Sequence, residues 1–208
     1  MNITGIIAEY NPFHNGHNYQ LTTAKKETDA DYLIIILSGN FVQRGAPALI
    51  DKYTRTKMAL LQGASLVIEL PALWSTASAE YFAGAGVCLL DQLGCVNTLC
   101  YGCETPPDDA ASSRVYQTLL SYLQQETPPY KKYLADGLKT GSSYALARQN
   151  ALLSLLPDTD QAMALEILKN PNNILALEYE KALAHTSSHI RSHPVLRQGN
   201  GYHCAQLA

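Results

Sequence analysis

The sequence lacks the features that mark membrane proteins, secreted proteins and proteins that bind nucleic acid through charge alone. None of its apolar runs is long enough to span a bilayer, and its start does not show the basic segment and apolar core of a signal peptide. Its formal net charge of −3 argues against a broad basic face for phosphates. We therefore expect a cytoplasmic protein without a membrane partner.

The sequence also lacks a pattern for disulfides or a metal centre. Its five cysteines include one CxxC pair, Cys100 and Cys103, and a zinc site would require a second pair of ligands at suitable spacing. Only His203 and Cys204 are candidates for that pair, and they lie far downstream. We interpret the cysteines as free thiols and predict no resident metal.

The residues that are present are typical of a packed globular protein, with 47% hydrophobic and 16% charged residues. The apolar pattern predicts strands at residues 3–9, 32–37, 66–70 and 96–101, and helices at 18–28, 51–62 and 75–93. We interpret the runs at 32–37 and 66–70 as strands buried on both faces. The alternation predicts an α/β fold with a Rossmann-like, doubly wound parallel sheet. Ligands of such sheets bind beyond the carboxyl ends of the strands.

The run EYNPFHNGH, at residues 9–17, lies where the first predicted strand meets the first helix. A helix N-terminus offers unpaired backbone N–H groups and the positive end of the helix dipole. Gly16 lets an anion approach the backbone, and the ring N–H groups of His14 and His17 can donate to a phosphate. This combination predicts a site for nucleotide phosphates. The alternative is that both histidines are ordinary surface residues.

The sequence predicts three consecutive regions. Residues 1–105 form the nucleotide-binding α/β core, residues 106–165 a helical insertion, and residues 166–208 a return to the core. Helices of the insertion are predicted at 108–125, 131–138 and 142–155, with a break at Pro128 and Pro129. The return is predicted to contain a helix at 174–184, preceded by Pro and Asn residues, and a fifth strand at 189–197.

Several blocks of the sequence resemble one bacterial enzyme family. They are EYNPFHNGH at 9–17, SGNFVQRG at 38–45, DKYTRTKMAL at 51–60, VIELP at 67–71, YGCE at 101–104 and PNNILALEYEKAL at 171–183. Together they are similar to the tRNA(Met) cytidine acetate ligases, of the HxGH nucleotidyltransferase-like superfamily. The resemblance implies that ATP and acetate form acetyl-adenylate. The acetyl group would then pass to N4 of the wobble cytidine of elongator tRNA(Met).

The resemblance also implies an ATP site, carried over block by block. Its residues are Ile7, Ala8, Glu9, Tyr10, Asn11, Pro12, Phe13, His14, Asn15, Gly16, His17, Asn18, Tyr19, Gln20, Gly102, Asn172 and Arg197. His14 and His17 would be catalytic, holding the phosphates while acetate attacks and pyrophosphate leaves. Gly102, expected just after the fourth strand, would let the adenosine approach the backbone. Magnesium is expected to bridge the phosphates, with Asp51 and Glu104 as candidate ligands by position only.

Three cations lie outside that set. Arg44 follows the second predicted strand, and Lys52 and Arg55 share a face at the start of a predicted helix. Cations at a helix N-terminus oppose the dipole, and an anionic ligand would relieve that conflict. Contact with phosphate or tRNA is one interpretation, and a solvated surface is the other.

The sequence departs from the family in length. Family members continue beyond the region of Arg197 with a serine/threonine- and arginine-containing motif, so we expect a C-terminally shortened chain. Three alternatives to the ligase therefore stay open. They are another HxGH adenylyltransferase of cofactor synthesis, an ATP-binding module without catalysis, and a partner-binding fragment without a ligand. Binding of nicotinamide mononucleotide or phosphopantetheine would favour the first of these.

Overall fold

The computed structural model of the protein describes residues 1–43, 45–105 and 109–197. The described residues divide into two compact units: Met1–Cys103 together with residues 189–197, and Glu104–Ser188. This division differs from the predicted regions, because the segment at 166–188 belongs to the second unit rather than to the α/β core.

The first unit is built on one parallel sheet. Its strands are β1 (Ile3–Ala8), β2 (Tyr32–Ser38), β3 (Leu66–Leu70), β4 (Thr98–Cys103) and β5 (Arg191–Leu196). Its helices are α1 (Asn15–Glu27), α2 (Lys52–Leu61), α3 (Ala72–Ser75) and α4 (Ala79–Gln92). The strand order is β3-β2-β1-β4-β5, and every neighbouring pair is parallel. The predicted α/β class and the fifth strand are confirmed.

Alternate residues of β1 pack against helices on opposite faces of the sheet. Ile6 belongs to an apolar cluster with Leu21 of α1, whereas the neighbouring Gly5 and Ile7 meet α4. A Cβ added at Gly5 would lie 2.7 Å from a methyl carbon of Leu90, so α4 comes close to the sheet where this residue has no side chain. Helices therefore cover both faces around β1, as in a doubly wound fold.

The burial predicted for β3 and two predicted helix boundaries were wrong, whereas the bounds of β3 itself are confirmed. β3 is an edge strand with half-exposed residues, because it pairs with β2 alone and is covered incompletely. The helix predicted at 75–93 is two helices, α3 and α4, and the hydroxyls of Ser75 and Thr76 both donate to the carbonyl of Ala72 where α3 ends. Such side-chain bonds compete with continuation of the helix. The first helix begins at Asn15 rather than at residue 18.

The second unit contains five helices within the described residues. They are α5 (Ala110–Gln125), α6 (Pro128–Lys139), α7 (Tyr144–Leu153), α8 (Asp158–Lys169) and α9 (Pro171–Thr186). Leu119, Ala151, Ile167 and Leu177 share its apolar core. The two prolines predicted as a break also start α6, where a missing N–H costs nothing. α8 was not predicted, and α9 contributes Leu177 to this core rather than returning to the sheet.

None of the helices in the described part of the chain is both long enough and apolar enough to cross a membrane.

Candidate functional site

The connection between β1 and α1 is fixed by a buried tyrosine. Tyr10 is 1% exposed and adopts φ 48°, in the left-handed region that residues with a side chain rarely occupy. Its ring packs against those of Phe13 and His17, with centroids 4.8 Å apart in both cases. Burial of this large side chain holds the chain in a sharp turn that leads straight into the helix.

Hydrogen bonds at the start of α1 orient both histidine rings. The backbone N–H of Gly16 donates to Nδ1 of His14 at 3.1 Å, and that of His14 donates to Nδ1 of His17 at 3.2 Å. Each Nδ1 is therefore an acceptor, so a neutral ring carries its proton on Nε2. The rings stack with centroids 3.8 Å apart. The corner thus provides two neighbouring Nε2–H donors at a helix N-terminus.

Both imidazoles are held in the neutral form. Burial lowers the pKa of His17 to about 3, with smaller contributions from His14 and Arg197. Burial also lowers the pKa of His14, and Arg197 adds to that effect. A bound anion would act in the opposite direction and raise both pKa values. The site therefore consists of neutral donors beside a guanidinium, which suits a ligand that brings its own negative charge.

Strands β1 and β4 separate next to the start of α1. β1 and β2 are paired over six residues, whereas β1 and β4 are paired only at Thr4–Thr98 and Gly5–Leu99. The opening lies at the carboxyl ends of β1 and β4, where the strand order reverses direction. Such switch points are the usual ligand sites of doubly wound sheets.

Gly102 and Arg197 border the opening. Gly102 lies inside β4, not after it as predicted, and pairs with Val195 of β5. The backbone N–H of Arg197 donates to the carbonyl of Cys103 at 2.9 Å, which fixes this residue at the end of β5. A Cβ added at Gly102 would lie 3.7 Å from Cγ of Arg197. The first unit thus brings both predicted residues to the carboxyl end of its sheet, and the charge of Arg197 acts on both histidines.

Asn172 belongs to the second unit, where a network of hydrogen bonds joins residues 172–173 to residues 104–105. Its Nδ2 donates to Oε1 of Glu104 at 2.6 Å, and the N–H of Asn173 donates to Oε2 of Glu104 at 3.0 Å. In return, Oδ1 of Asn173 accepts from the N–H groups of Glu104 and Thr105. Asn173 is fully buried. Nothing in the local sequence distinguishes this second asparagine from the first, so the role of Asn173 in holding the segment at 104–105 was not predicted.

The three carboxylates singled out from the sequence have structural partners. Asp51 caps α2 by accepting from the N–H and the hydroxyl of Thr54 at 3.0 and 2.7 Å. Glu104 accepts at the start of α9, as described above. Glu9, a member of the ATP-site set implied by the resemblance, accepts from the backbone N–H of Gln43 at 2.6 Å. Within the described ranges, no cluster of His, Cys, Asp or Glu fits a resident metal ion, and the four cysteines there are free.

Two of the predicted phosphate- or tRNA-binding cations have other partners. Arg55 is fully buried, and its guanidinium donates to the carbonyls of Glu9, Gly39 and Ile50. Contact of Arg55 with tRNA or phosphate does not fit this arrangement, because the side chain lies inside the fold and ties the ends of β1 and β2 together. Lys52 donates to Glu69 at 2.6 Å. Arg44, the third cation, lies outside the described residues, as do His203 and Cys204.

A family model described as HIGH Nucleotidyl Transferase matches residues 1–208. The chain belongs to the HIGH nucleotidyl transferase family. In this member of the family the double histidine reads His14-Asn15-Gly16-His17, and it occupies the helix N-terminus beside the opened switch point.

The chain is 45% identical over 208 residues to the tRNA(Met) cytidine acetate ligase of Clostridium tetani, covering 100% of this chain and 50% of that protein. It is 46% identical over 210 residues to the ligase of Clostridium kluyveri, with 100% and 50% covered. The chain therefore spans about half the length of the curated relatives it matches. The similarity predicted from the sequence blocks is confirmed.

Two solved structures of a related protein have the same fold as this chain. Thermotoga maritima TmcAL, bound with alpha-thio ATP, is 38% identical with a TM-score of 0.85, covering 96% of this chain and 47% of that one. The apo form of the same protein is 36% identical with a TM-score of 0.88, covering 100% and 48%. The fold of this chain is thus shared with a protein that binds an ATP analogue.

Proposed function

We propose that this chain is the adenylating part of a tRNA(Met) cytidine acetate ligase, acting on ATP, acetate and elongator tRNA(Met) in the cytoplasm. The similarity to ligases along the whole chain supports the reaction class. The observation that carries the proposal is the pair of Nε2–H donors at the start of α1, beside Arg197 and the open end of the sheet.

In the proposed first step, the triphosphate lies against the N-terminus of α1. An acetate oxygen attacks the α-phosphorus, the bond from that phosphorus to the oxygen leading to the β-phosphate breaks, and pyrophosphate leaves. No side-chain nucleophile is required, because acetate is already an anion. His14 and His17 donate from Nε2 to phosphate oxygens as negative charge shifts during transfer.

Other residues of the proposed site position the nucleotide. Arg197 offers a planar set of donors for phosphate, and Gly102 leaves backbone accessible to adenosine. Asn172 would contact the nucleotide with the amide atoms that Glu104 does not engage. Magnesium would arrive bound to the phosphates, since the carboxylates considered for it have structural partners.

In the proposed second step, N4 of the wobble cytidine attacks the acetyl carbonyl of acetyl-adenylate. The N4 nitrogen loses a proton, the carbon–oxygen bond to the phosphate breaks, and AMP leaves. This step requires the tRNA anticodon loop to reach the carboxyl end of the sheet, where the acyl group is formed.

The proposal is tested by acetate-dependent exchange between pyrophosphate and ATP, followed by acetyl transfer to elongator tRNA(Met). We expect exchange to require acetate and to fall at least about 100-fold in His17→Ala, the usual effect of losing a transition-state donor. The matched control is His189→Ala, which removes an exposed histidine of the same unit. Exchange between pyrophosphate and ATP at the same rate with and without acetate would contradict the proposal.

The same assay separates the alternatives. Pyrophosphate release that depends on nicotinamide mononucleotide or phosphopantetheine would identify an adenylyltransferase of cofactor synthesis. ATP-induced thermal stabilisation without turnover would identify a nucleotide-binding module, and absence of both would leave a partner-binding fragment.

A further inference from the structure

Arg55 is a buried cation to which the proposed reaction assigns no part. It is fully buried in α2, and its guanidinium donates to the main-chain carbonyls of Glu9, Gly39 and Ile50. Burial of an arginine is costly unless its donors are satisfied, and here the acceptors come from three separate segments. Arg55 therefore fixes where these three segments lie relative to one another.

The bond to Glu9 acts on the turn that leads into α1. The carbonyl of Glu9 and the N–H of Tyr10 belong to one peptide plane, so a bond that holds this carbonyl also restricts rotation at Tyr10. Tyr10 adopts φ 48°, and the left-handed region costs a residue with a side chain about 1–2 kcal/mol. Such a conformation persists only where the surrounding structure fixes it. Arg55 and the buried ring of Tyr10 together provide that support, four residues before His14.

The same guanidinium closes the β2–α2 loop, residues 39–50, because it binds the first and the last carbonyl of that loop. Two further bonds join the loop to the turn. The N–H of Gln43 donates to Oε1 of Glu9 at 2.6 Å, and the N–H of Leu49 donates to Oδ1 of Asn11 at 2.7 Å. The turn and the β2–α2 loop are therefore held to each other by backbone and side-chain bonds, with one buried cation bonded to both.

The geometry assigns this cation a part in the reaction through the backbone that it holds. Burial lowers the pKa values of both histidines, and Arg197 is the cation that adds to this effect. We propose that Arg55 is a positioning residue for adenylation, which holds the Glu9–Tyr10 turn and the β2–α2 loop so that the two histidines meet the phosphates in the reactive geometry. A displacement of about 1 Å at such a site can cost about 100-fold in rate. This inference rests on the proposed function, which supplies the reaction whose rate Arg55 controls.

Arg55→Lys separates the geometry that the side chain holds from its charge. Lysine keeps a cation but lacks the planar set of donors that reaches three carbonyls at once. We expect kcat of pyrophosphate exchange to fall about 10- to 100-fold and KM for ATP to change less than about threefold, because Arg197 and the start of α1 still hold the triphosphate in the ground state. Rates are divided by the number of sites that bind a nonhydrolysable ATP analogue in calorimetry, so that unfolded chains are not counted as lost catalysis.

Arg148→Lys is the control for this substitution. It makes the same change at a mostly buried arginine of the second unit, where the guanidinium pairs with Glu178. We expect kcat per ATP site and KM to stay unchanged in the control. Equal falls in kcat for the two variants, or an unchanged kcat in Arg55→Lys, would overturn the proposal.

The imidazole NMR signal of His17 gives a readout that does not depend on activity. The signal is assigned by its absence in His17→Asn. In the wild-type chain the ring should not titrate between pH 7.5 and pH 5, because burial lowers its pKa to about 3. In Arg55→Lys the ring should titrate within that range, since a displaced ring is more exposed and its pKa moves toward 6.5. A His17 that stays neutral in folded Arg55→Lys would show that Arg55 does not hold the turn.

Leu49→Pro decides the question if Arg55→Lys does not fold. It removes the N–H that Asn11 accepts, at a side chain that is 77% exposed, whereas the matched control Leu49→Ala keeps that N–H. We expect kcat per ATP site to fall about 3- to 10-fold in the proline variant alone, the effect of one lost hydrogen bond. Equal rates in the two Leu49 variants would overturn the proposal.

The outcomes distinguish this inference from the proposed function. Exchange by the wild-type chain with no effect of Arg55→Lys overturns the inference alone. Absence of exchange in the wild-type chain overturns the proposed adenylation, and the His17 titration then tests by itself whether Arg55 holds the turn.

Discussion

The neutral state of His17 has a measurable effect on stability. The folded chain holds the pKa of His17 at about 3, against an ordinary value of 6.5. Below pH 6.5 the unfolded chain therefore binds a proton that the folded chain does not bind. The free energy of unfolding falls as pH decreases through this window, by up to about 1.4 kcal/mol per pH unit.

The magnitude at pH 5 follows from the distance to the unfolded pKa. At pH 5 the pH lies 1.5 units below the unfolded pKa of 6.5, which corresponds to a loss of about 2 kcal/mol in the free energy of unfolding relative to neutral pH. This is an upper value, because the ring is partly exposed. His17→Asn removes the ionisation but keeps an acceptor near the position of Nδ1 for the N–H of His14. The variant should lose less stability than the wild-type chain between pH 7.5 and pH 5, by up to about 2 kcal/mol.

Urea denaturation at a series of pH values measures this difference. His189→Asn, an exposed histidine of the same unit, controls for loss of an imidazole. Saturating ATP should reduce the pH dependence of the wild-type chain, since phosphates raise the pKa of the ring and favour its protonated form. Parallel curves for the wild-type chain and His17→Asn would show that His17 is not held neutral by the fold.

Three further substitutions test the packing that supports the site, each by the free energy of unfolding in urea. Arg55→Met should cost at least about 3 kcal/mol, because three carbonyl acceptors lose a charged donor; a surface role predicts almost no cost. Asn173→Ala should cost about 2–4 kcal/mol through loss of its bonds to the segment at 104–105. Gly86→Ala should cost about 1–3 kcal/mol, because its Cβ would lie 2.6 Å from Ile7. Gly84→Ala in the same helix has no neighbour within 4 Å and should be neutral or stabilising.

Much of the α/β unit could be predicted because its apolar runs are short and clearly bounded. β1 and β2 carry continuous buried residues, and the pattern alone identifies them. β3 has a similar apolar run but lies at the sheet edge, and its exposure depends on a missing neighbour that local sequence does not encode. The break between α3 and α4 depends on hydroxyl bonds within a run of good helix formers.

The candidate site could be located but not detailed from the sequence. The position of the double histidine could be predicted from the strand before it. The role of His14 as the N-cap of α1 could not be predicted, because histidine is not among the usual cap residues. Arg55 was expected at the surface, since arginine is almost never fully buried. Its burial depends on carbonyls from three separate segments, which become neighbours only when β1 and β2 pair.

The proposed site binds the triphosphate of ATP through the Nε2–H groups of His14 and His17 at the start of α1. A crystal structure with a nonhydrolysable ATP analogue would show whether it does. We expect phosphate oxygens about 2.7–3.2 Å from Nε2 of both rings, within the opening between β1 and β4. A triphosphate bound elsewhere, or rings whose Nε2 atoms face away from it, would show that these histidines do not form the phosphate site.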